Sequence, residues 1–263
     1  MMTIEQGQAR ATPPRTNRTV GAESSRKLLH ALLAFDEHHP SWTVPGLASH
    51  LGVPQSTMYR YIALLREVGL VDSAGGGEYR LTERIVGLSR GVASARATLV
   101  EVARPFIVAL RDDIDETVLI ARRGGSYAYC VDRAESRHPV RLQFDPGQAM
   151  AIHAGSASRI LLASMPRGER DSLVADIVNR LPDERRALLS PQALDNVRRA
   201  GWTESFEEVD EGIWGVAAAV TSRGEVIASV GTAGPLFRLD DRRRTDIINK
   251  VRATASRICA ELS

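Results

Sequence analysis

The chain has 263 residues, 43% of them hydrophobic and 25% charged, with a formal net charge of +2. That length accommodates two modest domains or one large one with real apolar cores, and the ordinary composition excludes a fibrous or wholly disordered chain. No apolar run approaches the ~18 residues of a membrane-spanning helix, and Met1 to Val20 lack the apolar core of a signal peptide, so a cytoplasmic protein without a membrane partner is expected.

Residues 1–22 carry Pro13-Pro14 and the arginines Arg10, Arg15 and Arg18 with no hydrophobic period. They are expected to form a flexible basic arm, either touching nucleic acid or simply solvated. Ser24-Ser25 then supplies caps for a helix in which Leu28, Leu29, Leu32, Leu33 and Phe35 make an apolar stripe, ending near Glu37 to His39 ahead of Pro40. Trp42-Thr43-Val44 is a short extended stretch. Pro45 opens a second helix to His50, with Leu47, Ala48 and Leu51 facing inward.

The run Leu51-Gly52-Val53-Pro54-Gln55-Ser56-Thr57-Met58-Tyr59-Arg60 follows. Gly52 permits a tight turn and Pro54 starts a third helix. Met58, Ile62 and Leu65 fall at i, i+4 and i+7 and form its buried face. Gln55, Ser56, Thr57, Tyr59 and Arg60 are left at the exposed N-terminal end, the end of a recognition helix that enters a major groove. Gln suits adenine, Arg suits guanine, and hydroxyls suit bases or phosphates. Val71-Asp72, the glycines Gly75-Gly76-Gly77 and Tyr79-Arg80-Leu81 then give two short strands around a turn. This hairpin is a wing, on which Arg80 joins the candidate DNA contacts. A phosphate loop is a poor alternative, since no GK[ST] follows. The basic excess supports the placement weakly: residues 1–100 hold 11 Lys and Arg against 8 Asp and Glu, and the rest of the chain 23 against 24. A winged helix-turn-helix over 23–82 is therefore expected. Thr82 to Ala97 continues as a linker helix with Ile85, Leu88 and Val92 on one face.

Beyond it, Val102 to Ile114 is helical, and Thr117–Ala121 with Tyr127–Val131 form a hairpin. Val140 to Phe144 reads as another strand before a Pro146-Gly147 turn. Gly155-Ser156 opens a helix through Leu162, and Glu169 to Leu181 and Pro191 to Arg199 give two more. Ile213–Thr221 and Glu225–Thr232 are apolar strands. Asp240-Asp241 caps a last helix with Ile247, Ile248, Val251, Ala255 and Ile258 inward. Strands with helices on one side make this an α+β domain over 99–263. Cys130 and Cys259 lie outside any CxxC spacing, so no metal site, redox pair or cofactor is expected. His153, a lone histidine before a helix, is expected to be structural.

From about Ser25 to Ser263 the sequence resembles the IclR family of bacterial transcriptional regulators. The likeness rests on Leu51 to Arg60, on Gly77-Glu78-Tyr79-Arg80-Leu81, on Glu101-Val102-Ala103-Arg104-Pro105, on His153-Ala154, and on Gly212 to Val220 with Gly234-Pro235. The resemblance implies a homodimer or dimer of dimers on a palindromic double-stranded operator, with helix 83–98 in the dimer contact. It also implies a GAF-like domain with a central antiparallel sheet that binds a small effector, a catabolic metabolite, and repression rather than activation is the expected output. Carried over by position, the effector site holds Ser156, Ala157, Ser205, Ile213, Gly215, Gly231 and Ala233. Backbone amides at the Ser156 helix start would hold a carboxylate. Where the family commonly has an acid, a cysteine and two serines, this chain has Ser205, Gly215, Gly231 and Ala233. The expectation is a roomier, more apolar pocket for an aromatic or larger carboxylate.

Two other classes of function remain open. A winged helix also serves as a protein-interaction module, and an enzyme could use it as a recruitment domain. The sequence shows no GxSxG or HExxH, and Gly155-Ser156-Ala157-Ser158 lacks the second glycine of a nucleophile elbow. No catalytic residue is assigned.

Overall fold

A computed structural model describes residues 21–262, with the side chains of 92–97 outside the description. Residues 1–20 of the expected basic arm and the side chain of Val92 lie outside the described parts. Two compact units divide the chain, one over residues 18–97 and one from Thr98 onward.

The first unit contains α1 (Glu23–Leu32), β1 (Ser41–Thr43), α2 (Val44–Leu51), α3 (Gln55–Glu67), β2 (Val71–Gly75) and β3 (Glu78–Leu81). Its strands pair antiparallel in the order β1-β3-β2. Ala31, Phe35, Leu47, Met58, Ile62, Leu65 and Val71 make the core. α1 is shorter than the apolar stripe suggests. The Asp36 carboxylate accepts the backbone N–H groups of His38 and His39 at 2.9 and 2.7 Å, a local alternative to another helical turn. Phe35 therefore reaches the core from a turn, while Leu29 and Leu33 stand in solvent. Ser24 and Ser25 lie inside α1 rather than capping it. Ala22 is the N-cap, and the Ser24 hydroxyl meets Tyr61 Oη at 3.2 Å. Thr43 does cap α2, accepting from the Gly46 N–H, and Gly52 ends it at φ +63°.

Helix α4 (Arg84–Ile114) is one continuous element where the sequence suggests two. Pro105 lies inside it. Proline withholds one N–H and strains one turn, which is less disruption than a break between separate helices would require. Ile85 is half-buried and Leu88 exposed, so among the described residues the anticipated apolar face is only partly covered.

The second unit is built on a six-stranded antiparallel sheet in the order β6-β5-β4-β9-β8-β7. The strands are β4 (Thr117–Gly124), β5 (Tyr127–Ala134), β6 (Ala149–Ala151), β7 (Trp202–Phe206), β8 (Ile213–Ser222) and β9 (Glu225–Pro235). Val118, Ile120, Trp214, Val216 and Val230 pack against the C-terminal part of α4 and against α9 (Asp241–Glu261). Leu119, Ala121, Ala128 and Cys130 belong to a second core with α5 (Ser156–Ala163), α6 (Arg167–Val178) and α8 (Pro191–Ala200). Helices thus cover both faces, not one. The apolar strands demand this, since each exposes hydrophobic side chains on both sides.

The strands β6 and β7 and the helix α7 (Asp183–Leu188) have no counterpart in the sequence reading. Conversely, Val140–Phe144 is not a strand. Its carbonyls are met by side chains instead of a ladder: Thr117 Oγ1 donates to Leu142 O at 3.0 Å, and Arg133 donates to Phe144 O. Cys130 and Cys259 are free thiols. Burial pushes the Cys130 thiol up to about 12, so it packs as a small hydrophobe rather than reacting.

Glu116, at the foot of β4, is buried under Arg238, which grips both carboxylate oxygens at 2.8 Å, and under Arg243 at 3.4 Å. A Cβ on Gly234 would sit 2.7 Å from the Glu116 carboxyl carbon, so a side chain there would push the ion-paired carboxylate from its place. We expect Glu116→Ala to leave these guanidiniums uncompensated and cost about 3 kcal/mol, at the low end for a broken buried pair because Arg243 reaches solvent. The urea midpoint of the purified protein measures this.

Candidate functional site

Two surfaces carry the residues singled out from sequence. The first is the start of α3. Pro54 precedes the helix in an extended conformation, at φ −58° and ψ 141°, and Met58, Tyr61, Ile62 and Leu65 anchor the helix in the core. That anchoring leaves Gln55, Ser56, Tyr59 and Arg60 exposed, with Thr57 half-buried. At the wing, Gly75, Gly76 and Gly77 all adopt positive φ, from +61° to +92°, a conformation that costs other residues strain. Arg80 is exposed on β3. Arg66, by contrast, is engaged with Asp72 at 3.8 Å and over the Tyr79 ring. Among the described residues, Arg60 and Arg80 make no ion pair.

The second surface is the face of the sheet under α5. Register aligns Ser205, Gly215 and Ala233 side by side across β7, β8 and β9. Strand alternation puts Ile213 and Gly231 on that same face. Ser156 is close above: a Cβ on Gly215 would lie 3.2 Å from Ser156 Oγ and 3.0 Å from Ser205 Oγ. Ser229 Oγ donates to Ala157 O at 3.0 Å and ties the start of α5 to β9. All seven residues expected at the effector site therefore converge on one region.

The expected extra room is not where the small residues stand. At Gly231 a Cβ would meet Val216 O at 2.7 Å and Ala217 Cβ at 2.8 Å, so close strand packing fixes glycine there. At Gly215 the two serine hydroxyls already fill the space a side chain would take.

Sequence reasoning missed the charged group in this site. Arg159, one turn into α5, forms an ion pair with Glu208 at 3.1 Å, and both side chains are about 5% exposed or less. Glu208 also accepts the Gly155 N–H at 3.0 Å. Arg159 further donates to Thr203 Oγ1 at 3.2 Å and to Glu204 O, yet its Nε is buried without a partner. Burial raises the Glu208 pKa, against the lowering pull of Arg159, the Gly155 N–H and Arg185. Burial likewise lowers that of Arg159. In sequence, Glu208 lies in the acidic stretch Glu207-Glu208-Val209-Asp210-Glu211, which looks like a solvated loop. The available signal was Arg159, a single charge inside the apolar run of α5.

No helix among the described residues is long and apolar enough to cross a membrane. The described residues contain no cluster of His, Cys, Asp and Glu arranged to hold a metal ion.

His153, just ahead of α5, has its pKa lowered by burial and by the Arg185 charge. Its folded pKa therefore lies below the value of about 6.5 that it has in the unfolded chain. The unfolded state then binds more protons, so this residue's contribution to stability is present above that pH and is lost as pH falls toward its lowered folded value. We expect His153→Gln to flatten that part of the melting-temperature profile below pH 6.5. An unchanged acid slope would contradict the assignment.

Two family models match the chain. One, described as the IclR helix-turn-helix domain, covers residues 25–75; the other, described as bacterial transcriptional regulator IclR C-terminal, covers residues 92–260. The HTH-type transcriptional regulator KipR of Bacillus subtilis is 26% identical over 88% of this chain and 94% of its own. The HTH-type transcriptional repressor AllR of Salmonella typhi is 26% identical over 92% of this chain and 90% of its own. In fold, the chain is similar to a crystal structure of an IclR homolog from Microbacterium hydrocarbonoxydans complexed with 4-hydroxybenzoate. The TM-score is 0.72 at 21% identity, covering 91% of this chain and 98% of that one.

Proposed function

The chain belongs to the IclR family of bacterial transcriptional regulators, and on that premise we propose that α3 reads an operator while the α5 face of the sheet receives the effector. The protein is a DNA-binding regulator with an effector-binding C-terminal domain. Gln55, Ser56, Thr57, Tyr59, Arg60 and Arg80 are the proposed DNA contacts. The observation that carries this is the exposed polar start of α3 on an apolar base, with Arg60 and Arg80 available for base edges or phosphate.

The domain limits we propose are an arm over 1–22, the winged helix over 23–82, a linker helix over 83–98 and the effector domain over 99–263. Val86 and Leu88 of α4 are exposed apolar side chains, which supports a homodimer through this helix on a palindromic operator. A relative that is named a repressor supports repression in the cytoplasm as the output. Relatives that are named regulators support a binding function in place of catalysis.

Ser156, Ala157, Ser205, Ile213, Gly215, Gly231 and Ala233 are the proposed effector contacts. The fold neighbour's complex with 4-hydroxybenzoate, together with apolar Ile213, Ala157 and Ala233 on this face, supports a small aromatic carboxylate.

Operator titration across salt tests the DNA reading. Affinity should fall with a log–log slope of about −0.9 per phosphate contacted. Arg60→Ala should lose about 1–3 kcal/mol and relax specificity if it reads a base edge. A flat salt response would defeat the reading. For the effector, 4-hydroxybenzoate should change operator affinity. Response to short keto acids alone would refute the aromatic class.

A further inference from the structure

We propose that Glu208 is a built-in occupant of the effector's carboxylate subsite, and that Arg159 is the buried cation both carboxylates share. Binding is then an exchange: the carboxylate of a small organic acid takes the place of Glu208, and the 207–212 loop swings outward. This rests on the effector reading above and deepens it, by naming the charge that holds the ligand and the group that competes for it.

The geometry carries the inference in three steps. First, the Glu208 carboxylate sits at the start of α5, accepting the Gly155 N–H at 3.0 Å and pairing with Arg159 at 3.1 Å. A helix start and a buried guanidinium together form a seat for one carboxylate. The N-cap of α5 is Gly155, which has no side chain of its own to offer the helix start, so the carboxylate there comes from a distant loop. Second, Arg159 is over-supplied with donors. Its side chain is 5% exposed, and its Nε is buried with no acceptor, although Glu208, Thr203 and Glu204 take other bonds. Arg170 and Arg185 also leave one buried guanidinium nitrogen unpaired, but Arg159 does so beside the α5 start, where a ligand carrying a second acceptor beside its carboxylate would satisfy it.

Third, the loop that delivers Glu208 is held in a conformation with strain to release. Glu207 sits at φ +52°, a left-handed conformation unfavourable for a side-chain-bearing residue. Its backbone carbonyl is held by Arg185, and its carboxylate takes the Gly212 N–H at 2.8 Å. Val209 is largely exposed while its Cγ2 would stand 3.4 Å from a Cβ on Gly155, so the loop lies over the α5 start without a core beneath it. Such a loop closes the seat while remaining able to leave it.

An occupied seat reduces apparent affinity by the fraction of molecules in which Glu208 is out. Removing the occupant removes that penalty. The experiment compares wild type, Glu208→Ala and Glu208→Ser, both of which empty the seat, the last in case the alanine variant folds poorly. Melting temperatures are measured with sodium acetate against sodium chloride at matched ionic strength. Titration calorimetry compares 4-hydroxybenzoate with its neutral amide. Acetate should stabilise the variants and leave wild type unmoved, because it rebuilds the missing carboxylate. The acid, and not the amide, should bind the variants at least about tenfold more tightly than wild type.

Variants that gain nothing from acetate beyond chloride, or that bind the acid with wild-type affinity, overturn the inference. Failure here is separable from failure of the effector reading. Acetate rescue with no effect of aromatic acids on operator binding leaves the Glu208 seat standing and removes the aromatic class. Operator release by 4-hydroxybenzoate at equal affinity in all three proteins does the reverse.

Discussion

The six-stranded sheet is apolar on both faces, and that constraint organises the second unit. Its central strands β4, β9 and β8 have no solvent side on which to place a polar group. Every polar side chain on them must therefore find an internal partner or carry a desolvation cost. Thr232 Oγ1 donates to Thr117 O at 2.8 Å, and Ser229 Oγ to Ala157 O. Glu204, on β7, takes both Arg244 nitrogens at 2.7 Å and Trp214 Nε1 at 2.9 Å. Burial would raise the Glu204 pKa, but these donors hold it below the ordinary value.

The same constraint explains how charge enters the α5 face of the sheet. Arg159 and Glu208 come as a pair because neither would be tolerated there alone. Glu116 with Arg238 and Arg243 solves the same problem on the other face of the sheet, yet with a different consequence. Glu116 is fixed immediately before β4, its partners satisfy both oxygens, and Gly234 closes over it. Glu208 is presented by a loop, and its partner keeps a spare donor. One pair is architecture, and the other has the character of an exchangeable ligand.

Much of the first unit was legible because its signals are local. Pro54, Gly52 and the 3.6-residue spacing of Met58, Ile62 and Leu65 place α3 without reference to distant residues. Three successive glycines mark the wing turn because only glycine adopts such backbone cheaply. The misreadings there were also local: Asp36 competed with helix continuation, and the side chains of Leu29 and Leu33 were left outside the core. In the second unit, β7 was invisible because Trp202 to Phe206 shows no alternating apolar pattern; its strand character comes from pairing with β8. Val140–Phe144 had the pattern but no strand beside it, and side chains took over its carbonyls.

The sequence by itself determined most of the element order, the polar start of α3 from Gln55 to Arg60 and the wing, because hydrophobic period and turn chemistry act over a few residues, while the set of residues around the start of α5 came with the resemblance to the family. Only the tertiary structure decided what fills that site. Whether Gly215 and Gly231 open a cavity or accept close neighbours depends on strands that are distant in sequence. Whether Glu208 is a solvated loop charge or a buried partner of Arg159 depends on a chain reversal at Glu207 that brings together residues 49 positions apart. Burial and pairing are properties of three-dimensional neighbours, and no spacing rule along the chain encodes them.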